Sequence, residues 1–105
     1  MTVTELKRRL DAGDAIVLLD VREETERRFV QIGGMFIPLG EIPSRMNEIP
    51  RDGKIVVYCH SGVRSERAAS FLRTNGFRSA ESLEGGIDAW AAIIDNSLLV
   101  ERNYS

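Results

Sequence analysis

Short unbroken apolar runs alternate along this chain with segments whose apolar residues recur every third or fourth position. Val3, Leu6 and Leu10 keep helical spacing until Gly13, and Thr2-Val3-Thr4-Glu5 ahead of them has the spacing of a capping box. Residues 15–20 form a continuous apolar run ending in an acid, the pattern of a buried parallel strand. Residues 23–29 predict a short charged helix whose run from Glu23 to Arg28 reads as a solvated face. Gly33-Gly34 then breaks the chain, and a brief strand at residues 35–39 is stopped by Pro38. Ile42, Met46 and Ile49 return to helical spacing, with Pro43 tolerated in the first turn. Residues 55–58 are β-branched and aromatic, hence another buried strand. A helix follows from about Arg64 to a stop at Asn75-Gly76, then a short strand around residues 79–83. Gly85-Gly86 opens a last helix with Ile87, Trp90, Ala91 and Ile94 on one face. Strands alternating with helices predict an α/β domain, a central parallel sheet flanked by helices on both faces.

In such sheets ligands bind beyond the carboxyl ends of the strands. Asp20 and Arg22 follow one strand and Cys59 to Arg64 another, so the two segments should emerge together. Cys59 lies between a strand and a helix start, whose unpaired N–H groups lower a thiol's pKa and can hold an anion. That predicts a reactive cysteine, not a packing one. The loop reads His60, Ser61, Gly62, Val63, Arg64, Ser65, and its amides from His60 through Ser65 converge if it curls around Cys59. Gly62 supplies the freedom for that curl. Arg64 can add a guanidinium to an anion in the cup, or fold back onto Asp20 and Glu26. Ser65 can donate a hydrogen bond toward the sulfur. His60 reads as a loop-shaping or substrate-contacting residue, since adjacent loop residues point apart and no third group orients it as a base. Asp20 and Arg22 read as an ion pair bracing the loop, and Trp90 as core. Gly85-Gly86 is followed by no Lys-Ser/Thr, which argues against a nucleotide site. Residues 98–100 fit an edge strand, a packing arm or an oligomer contact.

Composition narrows the field. At 105 residues the expectation is one domain, 1–105, large enough to hold a core. Its 14 basic and 16 acidic residues leave a formal charge of −2, which gives no reason to propose nucleic acid or an anionic membrane as partner. No apolar run is long enough to span a bilayer, and the first residues lack a basic region followed by an apolar stretch. A single cysteine cannot form an internal disulfide, which fits a reducing compartment; a cytoplasmic location is expected. One cysteine beside one histidine implies no metal, and no cofactor is expected.

Three segments resemble those of the single-domain rhodaneses, a family of sulfurtransferases. Val17-Leu18-Leu19-Asp20-Val21-Arg22, followed by Glu26, is similar to the family's strand ending in Asp-Val-Arg. Val57-Tyr58-Cys59-His60-Ser61-Gly62-Val63-Arg64-Ser65 resembles its active-site loop. Leu83-Glu84-Gly85-Gly86-Ile87-Asp88-Ala89-Trp90 resembles its Leu-x-Gly-Gly-x-x-x-Trp signature. Ile37-Pro38-Leu39-Gly40-Glu41-Ile42-Pro43 is similar to the version in modules attached to cofactor-biosynthesis sulfurylases. One stretch departs: where many relatives carry Gly-His-Ile ahead of Gly-Ala, this chain reads Phe29-Val30-Gln31-Ile32-Gly33-Gly34.

The resemblance implies a rhodanese-like fold and a two-step reaction. Cys59 thiolate takes the outer sulfur of a small donor such as thiosulfate, becoming a persulfide cradled by the loop amides. An acceptor then removes that sulfur: cyanide in an assay, a thiol or protein group in the cell. Asp20, Arg22 and Glu26 would support the loop. Two other functions stay open. One is a sulfur carrier or regulatory binding module with little free turnover. The other is a phosphatase or arsenate reductase, although phosphatase loops of this kind are one residue longer between Cys and Arg than the 60–63 stretch here.

Overall fold

A computed structural model of the protein describes residues 1–98. Its elements are helix α1 (Val3–Asp11), strand β1 (Ile16–Asp20), helix α2 (Glu24–Phe29), strand β2 (Met35–Phe36), helix α3 (Ile42–Arg45), strand β3 (Lys54–Tyr58), helix α4 (Val63–Thr74), strand β4 (Ala80–Ser82) and helix α5 (Gly86–Ile93). The four strands form one parallel sheet in the order β2-β1-β3-β4.

The period-2 alternation of the central strands divides the core in two. Leu19 of the first strand and Val21 just beyond it, with Ile55 and Val57 from the third, pack beneath α3 and α4 against Ile42, Ala68, Ala69 and Leu72. Val56 and Tyr58 point the other way, onto Val3 and Leu6 of α1 and Ile87 of α5. Both faces of the sheet are therefore covered, which parallel strands require. Trp90 packs at the edge of the second cluster.

Local differences from the sequence reading have tertiary causes. At the first helix Thr2 does cap the Glu5 amide (3.1 Å), but the Glu5 carboxylate turns to Arg8 and Arg9 instead of completing the box. The β2 strand ends at Phe36, opposite Asp20, and the chain stays beside the first strand's continuation through bonds from Ile37 N to the Asp20 carbonyl (3.0 Å) and Leu39 N to the Val21 carbonyl (3.1 Å). The helical spacing of Ile42, Met46 and Ile49 yields one α-turn and then a 3-10 turn at Met46–Glu48, which still brings Ile42 and Ile49 into the same cluster. Of the tail segment at 98–100, Leu98 packs against the α1–α5 cluster. Leu99 and Val100 lie outside the described residues.

Register fixes where chemistry can occur. Asp20 pairs with Tyr58 at the carboxyl ends of β1 and β3, so the segments after both strands leave the sheet side by side.

Candidate active site

Cys59 is the residue after the last one of β3, and it continues the alternation of Ile55 and Val57 toward α4. That direction brings its side chain to the start of α4. Gly62 caps the helix at φ 110°, a backbone region that side-chain-bearing residues rarely adopt. The turn it allows aims the amides of Gly62 (3.1 Å) and Ser65 (3.4 Å) at Cys59 Sγ. The Ser65 hydroxyl lies 3.5 Å from the sulfur, 2.6 Å from Ser82 Oγ and 3.2 Å from the Gly62 carbonyl.

These contacts decide the ionisation of the thiol. Burial alone pushes the Cys59 pKa up; the Ser65 hydroxyl and the amides of Ser65, Gly62 and Arg64 outweigh it, leaving the thiol below its ordinary value. Two expectations change. The bonds to sulfur come from the later half of the loop, a narrower cradle than the His60–Ser65 span. Cys59 is also a packing residue, 1% exposed and part of the α4-side cluster, because the strand alternation that aims it at the helix start also places it in the core.

The loop is held from behind by α5. Two amides of its first turn, Ile87 N and Asp88 N, donate to the carbonyls of Cys59 (2.8 Å) and His60 (3.0 Å). A Cβ on Gly86 would overlap the Cys59 carbonyl oxygen and come within 2.5 Å of that of His60. The second glycine of the pair thus permits the close approach of helix and loop, a role that helix patterning alone does not reveal.

At the rim, Arg64 chelates the Glu26 carboxylate through both terminal nitrogens, at 2.7 and 2.8 Å. Its hydrogen bonds hold the Glu26 pKa at about 2 against the upward push of burial, helped by the Glu23 amide and His60. Glu26 in turn holds Arg64 above its ordinary value. His60 sits between carboxylates: Nε2 is 3.1 Å from Glu26 Oε2 and Nδ1 3.4 Å from Asp88 Oδ1. The orienting partners absent from the sequence reading therefore exist, brought in from α2 and α5. Ser61 and Val63 are exposed. An open groove of about 660 Å³ runs beside the loop, lined in part by Ser61, Gly62, Val63, Ser82 and Gly85.

Asp20 and Arg22 lie beneath this rim. Arg22 donates to both Asp20 oxygens at 2.9 Å and to the Val30 carbonyl at 2.6 Å, with both side chains fully buried. The Arg22 backbone amide and Arg27 from α2 add two further bonds to Asp20, each at 3.0 Å. Asp20 is thus occupied by Arg22 and Arg27, which is why Arg64 folds back onto Glu26 alone. The stretch that departs from the family pattern is tied down by these groups: Gly33 O accepts from Tyr58 Oη (2.9 Å) and Gly34 O from Arg27 (3.0 Å). The α2 charge run is consequently not a purely solvated face. Glu24 and Arg28 pair in solvent, whereas Glu26 and Arg27 turn toward the loop and the sheet. Ser82 and Asp88 went unnoticed in the sequence; only the Leu-x-Gly-Gly segment they flank or occupy marked that region.

Comparison with known proteins places this arrangement in context. The Rhodanese-like domain family matches residues 2–93. A sulfurtransferase of Allochromatium vinosum is 39% identical over 87 residues, covering 82% of this chain and 81% of that one. The putative sulfur carrier protein YrkF of Bacillus subtilis is 35% identical over 91 residues, covering 86% of this chain and 49% of its own. The crystal structure of a rhodanese-related protein from Thermoplasma volcanium matches with a TM-score of 0.80 at 32% identity, covering 88% of this chain and 89% of that one.

Proposed function

This chain belongs to the Rhodanese-like domain family, and from that membership we propose that it transfers sulfane sulfur through a persulfide on Cys59. The family assignment makes it a rhodanese-like sulfurtransferase or sulfur carrier; the identity of the nucleophile and the course of the reaction are our reading. The observation that carries it is the pair of amides, Gly62 N and Ser65 N, directed at Cys59 Sγ at the start of α4.

In the first step Cys59 thiolate attacks the outer sulfur of a donor, with thiosulfate as the assay substrate. A sulfur–sulfur bond forms, the donor's own sulfur–sulfur bond breaks, and sulfite departs with the electron pair. The new terminal sulfur carries the negative charge, and the loop amides with the positive end of α4 stabilise it in a preorganised setting. In the second step an acceptor nucleophile, a thiol, a protein group or cyanide, attacks that sulfur, and the pair returns to Cys59. No general base is invoked, since the bonds to sulfur already lower the pKa of the thiol. His60, held by two carboxylates, shapes the rim, and the groove beside Ser61–Val63 gives an acceptor room to approach. A reducing compartment such as the cytoplasm suits the lone cysteine.

Intact-protein mass spectrometry after exposure to thiosulfate tests this reading. We expect one added sulfur on the wild type, none on Cys59→Ser, and removal of the adduct by cyanide. Turnover of an aryl phosphate without any sulfur adduct would overturn it in favour of a phosphatase. The near-complete burial of Cys59 and the likeness to a sulfur carrier favour a second reading, delivery to a dedicated partner. Slow discharge to small thiols beside fast loading would distinguish it.

A further inference from the structure

The arginine of the loop is chelated by a carboxylate, which is unexpected for an opening that receives an anion. Arg64 is the cation of the loop and interacts electrostatically with Cys59. Both ends of its guanidinium are engaged by Glu26, and Glu23 adds a further carboxylate field on it. His60 lies between Glu26 and Asp88. The four side chains of this cluster are between 24% and 36% exposed, so an incoming molecule meets them.

We propose that Glu26 sets donor specificity, masking Arg64 so that the loop disfavours dianionic donors such as thiosulfate and accepts persulfides of thiols instead. This rests on the persulfide reading above. A dianion approaching a thiolate must be drawn in by positive charge, and the attraction it would receive from a free guanidinium is twice that of a monoanion. With Arg64 neutralised, the attraction left at Cys59 itself comes chiefly from the amide dipoles aimed at it. A persulfide presents its outer sulfur with at most one negative charge, which those dipoles suffice to hold. The step balances in the same way: Cys59 thiolate bonds to the outer sulfur of R–S–S⁻, the donor's sulfur–sulfur bond breaks, and R–S⁻ leaves with the pair.

Loading of Cys59 is measured by intact mass in single turnover, with thiosulfate and with the persulfide of 2-mercaptoethanol, whose tail is uncharged. Glu26→Gln keeps an acceptor for the Glu23 amide, now 2.8 Å from Glu26 Oε1, so the start of α2 is preserved. We expect it to speed loading from thiosulfate about tenfold, the lower end of what cleft charge contributes to association. Loading from the persulfide should rise only about threefold, since a monoanion gains half the attraction energy of a dianion. The gain should disappear when Arg64→Met is added. The wild type supplies an arm that needs no variant: its loading rate from thiosulfate should stay flat or rise with salt. Equal changes for both donors, a gain that survives loss of Arg64, or a steep fall of the wild-type rate with salt would each overturn the proposal. Absence of any adduct from either donor would instead sink the sulfur-transfer reading on which it rests.

Discussion

Replacing Gly86 with alanine tests how the loop is held. Gly86 has φ 56°, and a side chain in the left-handed region costs about 1–2 kcal/mol. A Cβ there would also overlap the carbonyl oxygens of Cys59 and His60. Relief of that overlap must lengthen the bonds from Ile87 N (2.8 Å) and Asp88 N (3.0 Å), each worth about 0.5–1.5 kcal/mol net. The sum is a loss of roughly 2–5 kcal/mol, or a fall in Tm of the order of 10–20 °C for a domain of this size. Gly13→Ala is the control, because Gly13 has φ 82° and nothing within 4 Å of its would-be Cβ. It carries the strain and the unfolded-state entropy change without the collision. Urea unfolding followed by Trp90 fluorescence gives both stabilities, and sulfur loading of Cys59 reports whether the cradle has shifted. We expect Gly86→Ala to lose about 2 kcal/mol more than Gly13→Ala, the net value of two backbone bonds, and to load sulfur more slowly. Equal losses and unchanged loading would refute the idea that α5 positions the loop.

Other outcomes follow from individual contacts. Ser65→Ala removes the largest group that lowers the Cys59 pKa, so the midpoint of pH-dependent iodoacetamide alkylation should rise by about half to one pH unit, the equivalent of one hydrogen bond. Asp20→Ala leaves Arg22 charged and buried without its partner; guanidinium titration should show a loss of about 3–5 kcal/mol, and a loss under about 1 would mean the pair is not structural. Glu26 has a folded pKa of about 2 against an ordinary 4.5, so its contribution to stability is complete above pH 4.5 and is lost as pH falls through about 2. Urea unfolding at pH 6 and pH 3 should therefore show a smaller acid-side loss for Glu26→Gln than for the wild type, by about 1 kcal/mol once solvent screening is included.

The sequence by itself determined the alternation of strands and helices, because hydrophobic periodicity is a local property that burial on one or both faces enforces. It also determined the approximate ends of most elements, through Thr2, Asn75-Gly76 and Gly85-Gly86, and it singled out the loop from Cys59 to Ser65 by the order of its residues. The resemblance carried by Asp20-Val21-Arg22, that loop and Leu83–Trp90 led to the family that comparison then showed. What tertiary structure alone decided is which charges meet. Arg64 had Asp20 and Glu26 within its possible reach; packing of Arg22 and Arg27 onto Asp20 left it Glu26. His60 gained its orienting carboxylates from two helices far away in sequence, and Ser65 gained Ser82 across from β4. Periodicity records the face on which a residue lies, but a pairing between side chains depends on distances across the fold, and those exist only once the sheet has set its register.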